Sequence, residues 1–467
     1  MNASQSVILL ICLLSCFRGM AAKGKGPDRP NVVFILVDDL GWSDLSIYGN
    51  AVHETPNIDR LAASGMTFTD AYASAPICSA SRASLLTGKS PARLGFEFVT
   101  KPDGSAVPER TVLQQPAYPR DFPLSEKTIA EQLRPDYVSG YFGKWHLTQE
   151  NDRYLGWGDQ FGPLQQGFAT GSEHRGSHPY GYTPAEKGTF GNVSEGAFPV
   201  DSVTERSIRF LEEHRDEPFM LYYSMYYVHV PVQTRAKWLY DKYRAKLGAD
   251  ASEKAIHYAA FIETMDHYIG QLLDALEKLD LDEHTLIVFT SDNGGDPRFS
   301  KSESLRGGKW TLYEAGIRIP TIVSWKNVIP AGSVSDDPIS GYDWYPTIAE
   351  LTGCTAVVDR QMDGRSITPL LFDGKWSAAD RDRMLYWHFP FYHQPVVNSK
   401  PQSAIRMGKY KAVYFYEDDR MELFDLDSDE AEQHDISRAQ PEQAAKMKQM
   451  LFDKLNAVQA RMPHPKL

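Results

Sequence analysis

The segment Asn31 to Val37 reads NVVFILV and runs directly into Asp38 and Asp39. It is too short for a typical helix and rich in β-branched residues, so it predicts a strand buried on both faces. Thr285 to Thr290 is a second such run, and it too ends on oxygen-bearing side chains, in Ser291-Asp292-Asn293-Gly294-Gly295. Strands of this kind need helices on both faces of their sheet. The sequence supplies them at Asn57 to Ser64, Val203 to Glu213 and Glu253 to Leu279. In the last of these Ala260, Ile262, Met265, Ile269, Leu272, Leu273 and Leu276 approximate one helical stripe. Further strands are predicted at Tyr137 to Phe142 and Phe219 to Tyr226. The fold class is therefore α/β. Two acidic clusters stand at strand carboxyl ends, where open α/β sheets place ligands.

A chain of 467 residues is long enough for two domains. Gly158 to Val200 is Gly-rich and weakly patterned, and reads as a long surface excursion. Beyond Asp359 the strands shorten, at Met384 to Phe389, Ala404 to Phe415 and Glu422 to Leu426, and a helix follows at Pro441 to Val458. That predicts a small antiparallel sheet with a helix against it. The expected units are 1–22, 23–359 and 360–467.

The first unit reads as an export signal. Val7 to Phe17, VILLICLLSCF, has the length of a signal-peptide apolar core and falls short of a membrane span. Gly19, Ala21 and Ala22 permit cleavage. Leu13-Leu14-Ser15-Cys16 also resembles a bacterial lipoprotein box, the alternative that would leave Cys16 lipid-anchored in an outer membrane. The expected location is periplasmic or secreted, and no later run is long enough to be a transmembrane segment. Four cysteines, two of them in the signal, do not make a disulfide scaffold. A formal charge of −12 supplies no basic surface for nucleic acid, although an acidic protein can still hold a local anion pocket.

Asp38, Asp39, Asp292 and Asn293 offer carboxylate and amide oxygens without thiolates, a donor set that favours calcium or magnesium. Either pair alone is more often a turn or a helix cap. Cys78 precedes a helix-like stretch, Ser81 to Leu86, and Arg82 shares its face four positions on. Lys144 and His146 flank Trp145, His229 follows a strand, and Lys309 follows paired glycines. Singly, each is usually a solvated or internally satisfied side chain. Together they form a candidate anion pocket.

Cys78-Ser79-Ala80-Ser81-Arg82 with Leu85-Leu86-Thr87-Gly88 resembles the signature of the type I, formylglycine-dependent sulfatases. The likeness extends in order through Val37 to Gly41, Gly143 to Leu147, Ser291 to Gly294, Gly307 to Trp310 and Glu314 to Pro320. One departure is Ala80, where the family's commonest core has Pro.

The resemblance implies an alkaline phosphatase-like large mixed sheet sandwiched by helices, with a small C-terminal α+β domain. It implies a sulfuric ester hydrolase whose Cys78 is converted by a formylglycine-generating or sulfatase-maturing enzyme to Cα-formylglycine, the hydrate of which is the nucleophile. One calcium ion per chain would sit on Asp38, Asp39, Asp292, Asn293 and position 78. Arg82 and Lys144 would hold the hydrate and the sulfate charge. His146 would be the base that breaks down the sulfated adduct, while His229 and Lys309 would hold the ester and assist the leaving oxygen. The rivals are a phosphonate or phosphate ester hydrolase of the same superfamily and an inactive exported glycan-binding protein.

Specificity is expected from two variable loops, Gly171 to Tyr182 and Trp387 to His393. There His174, Arg175, His178, Trp387, His388, Tyr392 and His393 combine aromatic faces with polar groups suited to a sulfated mono-, oligo- or polysaccharide. Any one of them is equally well accounted for by ordinary loop and small-domain packing.

Overall fold

The computed structural model describes residues 29–100, 111–149, 155–300, 302, 304–354, 361–393 and 399–466. The expected export signal, Cys16 and the expected unit boundary at Asp359 lie outside the described residues. Eight strands form the main sheet: β1 Asn31–Val37, β2 Met66–Phe68, β3 Val138–Gly143, β4 Thr170–Ser172, β5 Phe219–Ser224, β6 Thr285–Ser291, β7 Thr321–Ser324 and β8 Ser333–Ser335. Their spatial order is β8-β2-β7-β6-β1-β5-β3-β4. β6, β1, β5, β3 and β4 run parallel, whereas β7 is antiparallel to both β6 and β2, which makes the sheet mixed.

Alternation along β1 builds both cores. Val32, Phe34 and Leu36 pack on one face with Tyr222, Val288 and Trp344. Val33, Ile35 and Val37 pack on the other with Tyr223, Phe289 and the long helix Glu253–Lys278. The α-helices of eight or more described residues are α1 Pro56–Ala63, α2 Cys78–Thr87, α3 Ser202–His214, α4 Lys237–Leu247, α5 Glu253–Lys278, α6 Trp344–Leu351 and, in the C-terminal part, α7 Pro441–Ala457. The whole predicted stripe of α5 is buried. Every residue of α2 is buried as well, which its small side chains permit and which obliges the charged Arg82 to find partners inside.

The C-terminal sheet is antiparallel, in the order β9 Leu385–Phe389, β10 Gln402–Met407, β11 Tyr410–Phe415 and β12 Arg420–Asp425, with α7 packed on it. Two expectations change. The single strand expected at Ala404 to Phe415 is a hairpin, turning at Gly408 with φ +52°. The surface excursion at Gly158 to Val200 contributes β4 to the main sheet, and Ser177, His178 and Pro179 within it are buried. Among the described residues no helix is long and apolar enough to cross a membrane.

Candidate active site

Four neighbouring parallel strands deliver side chains at one edge of the sheet. Val37 pairs with Ser291, Leu36 with Ser224, and Gly143 with Ser224. The chain leaving β1 therefore carries Asp38 and Asp39 beside Asp292 and Asn293 leaving β6. His229 follows β5, and Lys144 and His146 follow β3. At Gly143, φ is +104° and a Cβ would lie 1.9 Å from the Ser224 carbonyl oxygen, so only glycine lets β3 hand over Lys144 so close to β5. Asp39 and His146 themselves adopt φ of +62° and +57°. Asp and His tolerate that region better than most residues, and such conformations concentrate at functional sites.

Helix α2 begins at Cys78 and aims its first residue into this cluster. The Cys78 sulfur lies 3.5 Å from Asp38 Oδ1, 3.7 Å from Asp39 Oδ1 and 3.3 Å from Lys309 Nζ. Lys309 Nζ is 2.6 Å from Asp39, and Lys144 Nζ is 2.6 Å from Asp38. Arg82 donates through Nε to Asp292 at 2.9 Å, and through Nη1 to the Lys144 carbonyl at 2.9 Å and Ser224 Oγ at 2.7 Å. Three buried carboxylates thus face three buried cations, each pair excluded from water.

Burial works against the charged form of Asp39, yet Lys309 and then His229 hold its carboxyl below the usual range. Burial pushes the Cys78 thiol well up, and Asp292 adds to the rise. The Lys144 and Lys309 ammonium groups are raised despite desolvation, chiefly by Asp38 and Asp39 respectively. Burial lowers the His229 imidazole to about 3, opposed by Asp39. It drives His146 well down too, aided by Lys144 and Arg82.

The donor set suits a hard divalent cation. Asp38, Asp39, Cys78 and His229 place ligand atoms within 4.8 Å of one another. Asn293 Nδ2 donates to Asp39 Oδ1 at 2.7 Å, while its Oδ1 is buried without a hydrogen-bond partner among the described residues, a carbonyl oxygen left for a cation to use. Asp292 is adjacent, accepting from the Asp39 amide at 3.1 Å and from Arg82. His229 was not expected among the metal-ready groups; its Nε2 lies 3.6 Å from Asp39 Oδ2.

All ten residues expected for the catalytic and metal set, Asp38, Asp39, Cys78, Arg82, Lys144, His146, His229, Asp292, Asn293 and Lys309, converge here. The expected specificity residues do not. His178 is buried behind His229, with Nε2 2.8 Å from the His229 carbonyl oxygen. Trp387 is buried on Tyr72 and donates to the Ala73 carbonyl at 2.8 Å. His388 lies buried between Ser403 and the Arg461 carbonyl. Tyr392 bonds Glu417 and the Leu113 amide. These four act in packing, because their polar tips are satisfied internally. His393 stacks on Trp310, ring centroids 3.5 Å apart, directly behind Lys309. His174 is exposed, and Arg175 is half-buried against the Tyr180 carbonyl.

Tyr180, in the same loop, is a contact the sequence reading missed. Its hydroxyl lies 2.7 Å from His229 Nδ1. Ser224 and Thr100 were missed too. The Thr100 carbonyl oxygen is 3.2 Å from His146 Nε2; because a carbonyl only accepts, that nitrogen carries the proton and Nδ1 is left as the basic one.

The Sulfatase family model matches residues 30–354, and the model for N-sulphoglucosamine sulphohydrolase, C-terminal, matches residues 308–461. The chain is 30% identical to an N-acetylgalactosamine-6-sulfatase of Canis lupus familiaris, over 87% of this chain and 75% of that one. It is 32% identical to human arylsulfatase A, over 83% and 75%. A sulfatase of Formosa agariphila is 30% identical over 95% and 91%. Among solved structures, Ps i-CgsB in complex with k-i-k-neocarrahexaose superposes with a TM-score of 0.74 at 28% identity, covering 91% of this chain and 93% of that one. With the family model spanning the whole of the strand-end cluster and α2, the chain belongs to the sulfatase family and is a sulfuric ester hydrolase.

Proposed function

We propose that this chain is an exported enzyme that removes O-sulfate groups from a sulfated carbohydrate, with Cys78 converted to Cα-formylglycine and one calcium ion held by Asp38, Asp39, Asp292, Asn293 and position 78. The observation that carries this reading is the placement of Cys78 at the first residue of α2, its sulfur within 3.3–3.7 Å of Lys309, Asp38 and Asp39 where the strand ends meet. The carbohydrate reading draws on relatives named for sulfated sugars and on a structural relative bound to a neocarrahexaose. The export reading rests on the apolar run from Val7 to Phe17.

A sulfate ester is an anion, so the three carboxylates alone would repel it. A bound divalent cation would supply charge neutralisation and lower the pKa of an oxygen ligand; the formylglycine hydrate would supply a hydroxyl in place of a thiol. The remaining work falls to the chain's own side chains. Lys144 and Arg82, both fixed by buried partners, keep positive charge near position 78 without having to reorganise. His146, with its Nε2 proton committed to Thr100, presents Nδ1 to accept a proton at position 78. Lys309 bridges the Asp39 carboxylate and position 78, a station from which its ammonium can hold an ester oxygen. His229, oriented by Tyr180 and the Val230 carbonyl, turns Nε2 into the same space.

The test is sulfate release from defined sulfated mono- and oligosaccharides, with a phosphonate monoester in the same panel, by protein produced with a maturing enzyme. Cys78→Ala is expected to lose about a thousandfold or more in turnover. Peptide mass analysis should find an aldehyde at position 78 and metal analysis one calcium. Full activity with an unmodified thiol would sink the nucleophile. Two tightly held zinc ions per chain, with turnover of the phosphonate and none of the sulfates, would reverse the reaction class.

A further inference from the structure

The catalytic cluster contains a second donor set, distinct in chemistry from the oxygen set assigned to calcium. Cys78 Sγ, a His229 ring nitrogen and one carboxylate oxygen each of Asp38 and Asp39 lie within 4.8 Å of one another, and all four residues are buried. Their spacing is informative. A tetrahedral zinc ion with bonds of about 2.0–2.3 Å holds its ligand atoms roughly 3.3–3.8 Å apart. Here the sulfur is 3.5 Å from Asp38 Oδ1 and 3.7 Å from Asp39 Oδ1, and His229 Nε2 is 3.6 Å from Asp39 Oδ2. A thiol, an imidazole and two carboxylates are ligand types that zinc accepts together, whereas calcium and magnesium take oxygen.

The setting of His229 is an independent pointer. Its Nδ1 lies 2.6 Å from the Val230 carbonyl oxygen, which only accepts, so Nδ1 carries the proton of the neutral ring and Nε2 presents a lone pair. That lone pair faces the Asp39 carboxylate, another acceptor, and two acceptors so placed favour a cation between them. A metal-bound histidine commonly donates its other ring N–H to a backbone carbonyl in this way, which fixes tautomer and orientation. The Tyr180 hydroxyl, 2.7 Å from Nδ1, holds the same edge of the ring. Cations already in the cluster oppose an incoming one. Lys144 Nζ is on Asp38 Oδ2, which leaves Oδ1 towards the sulfur, with Arg82 Nη2 3.7 Å from that oxygen. Lys309 Nζ, 2.6 Å from Asp39 and 3.3 Å from the sulfur, must share both. The thiol offsets part of this repulsion: as the sulfur–metal bond forms, the S–H bond breaks, its proton passes to solvent and the sulfur brings a negative charge.

We propose that the chain whose Cys78 is still a thiol binds one zinc ion through Cys78 Sγ, His229 Nε2, Asp38 and Asp39. Conversion of Cys78 to the aldehyde hydrate removes the sulfur ligand and leaves oxygen at position 78, so the chemistry of that one residue selects the metal. The selection rests on the formylglycine reading above; zinc binding by the thiol form stands apart from it.

The chain is produced without a maturing enzyme, and peptide mass analysis confirms the thiol at position 78. After treatment with a chelator it is titrated with cobalt(II), which reports a thiolate ligand by a sulfur-to-metal charge-transfer band and a tetrahedral site by intense visible bands. Zinc affinity is read by competition with a chromophoric chelator. One zinc per chain with a Kd of about 1 μM or tighter is expected. X-ray absorption at the zinc edge of the unsubstituted chain should find one sulfur at about 2.3 Å among nitrogen and oxygen ligands at about 2.0–2.2 Å. Cys78→Ser should abolish the charge-transfer band and weaken zinc about tenfold or more, and His229→Ala should weaken zinc by a similar factor while keeping the band. Matured protein, its aldehyde confirmed, should bind zinc no tighter than Cys78→Ser. A zinc shell without sulfur in the thiol form, or an affinity unchanged by Cys78→Ser, overturns the site. Matured protein that holds zinc as tightly as the thiol form overturns the selection. Failure of the formylglycine reading looks different: a maturing enzyme would leave the thiol unmodified in active protein, with the zinc site as measured.

Discussion

His229 turns Nε2 towards Asp39 and keeps Nδ1 2.6 Å from the Val230 carbonyl oxygen, whereas His146 spends Nε2 on Thr100. As it stands His229 is neutral with its proton on Nδ1, so it can assist departure of the ester oxygen only once a bound anionic ester beside it favours the charged form; if it then acts with Lys309, the importance of both must follow that oxygen's basicity. An aryl sulfate leaves as a stabilised phenolate, and a sugar sulfate as an alkoxide. His229→Ala should therefore slow a sulfated sugar at least tenfold more than an activated aryl sulfate, while His146→Ala should slow both alike. Single-turnover rates for the two substrates decide it; equal losses with His229→Ala would make His229 a fixed anion-binding group. At this scale much of the candidate site was legible, because Asp38, Asp39, Asp292, Asn293, Lys144 and His229 follow short apolar strands and Cys78 starts a helix, whereas Arg82 inside that helix and Lys309 after paired glycines were placed by the resemblance. Its supporting contacts were not. Tyr180, Thr100 and Ser224 reach the site across 49, 46 and 142 positions of sequence, two of them through hydroxyl groups found anywhere in a chain and one through a backbone carbonyl. The specificity residues misled for a related reason: His178, Trp387 and His388 have polar tips that look available, and burial with a private carbonyl or hydroxyl partner leaves no local mark in composition.

Helix α1 shows how one element holds another. Its N-terminal amides have no cap of their own, since Thr55 makes no side-chain capping bond. Asp266, on α5, serves instead, accepting from the Ile58 amide at 2.8 Å, the Asn57 amide at 3.2 Å and Asn57 Nδ2 at 2.8 Å. Burial raises its carboxyl to about 6, partly offset by those same bonds. A carboxyl whose folded pKa lies above its unfolded value of about 4 favours folding most when protonated, so this group's contribution falls as pH rises from about 4 to 6. Asp266→Ala should cost about 1–2 kcal/mol through the lost cap. Asp266→Asn keeps an acceptor and should remove this group's share of the stability loss between pH 4 and 7. Denaturant unfolding at pH 4, 5.5 and 7.5 checks both, and an Asn variant with the wild-type pH slope would show that Asp266 is not its source. Element existence was readable from periodicity here, as the stripe of α5 shows. The hairpin at Gly408 was not, since both of its arms are buried almost throughout, with Gln402, Ser403, Arg406 and Lys411 among the buried residues, on either side of a two-residue turn.

The two sheets are tied together by buried charge and by the end of the chain. Lys411 on β11 sits buried between Glu314, at 2.7 Å, and Glu432, at 2.8 Å, while Arg406 on β10 reaches Asp70 at 2.6 Å. After α7 the chain returns to the main domain: Arg461 donates to the Gly95 carbonyl and the buried Glu97 carboxylate, and to the Ala117 carbonyl at 2.7 Å. Glu97 lies in a buried stretch in which Phe98 and Val99 pack into the core shared with β9 to β12. That stretch reaches the catalytic cluster at Thr100, whose amide donates to Ser79 Oγ at 3.1 Å and whose carbonyl oxygen meets His146 Nε2. Ser79 in turn bonds the His146 carbonyl at 2.7 Å, next to Cys78. Arg461 thus fixes one end of a segment whose other end orients His146. Arg461→Ala leaves Glu97 buried without its cation and should destabilise the fold by about 1–3 kcal/mol, a figure reduced by the arginine's partial exposure. Loosening the segment should also lower the turnover of aryl and sugar sulfates together, with KM little changed, because proton acceptance at position 78 serves both substrates. Arg461→Lys should recover part of the loss, since it restores the charge without the fork that spans Gly95 and Glu97. The rates are read well below each variant's unfolding transition. A variant that melts earlier yet keeps full kcat there would make the C-terminal clasp a stabilising tie with no hold on the chemistry.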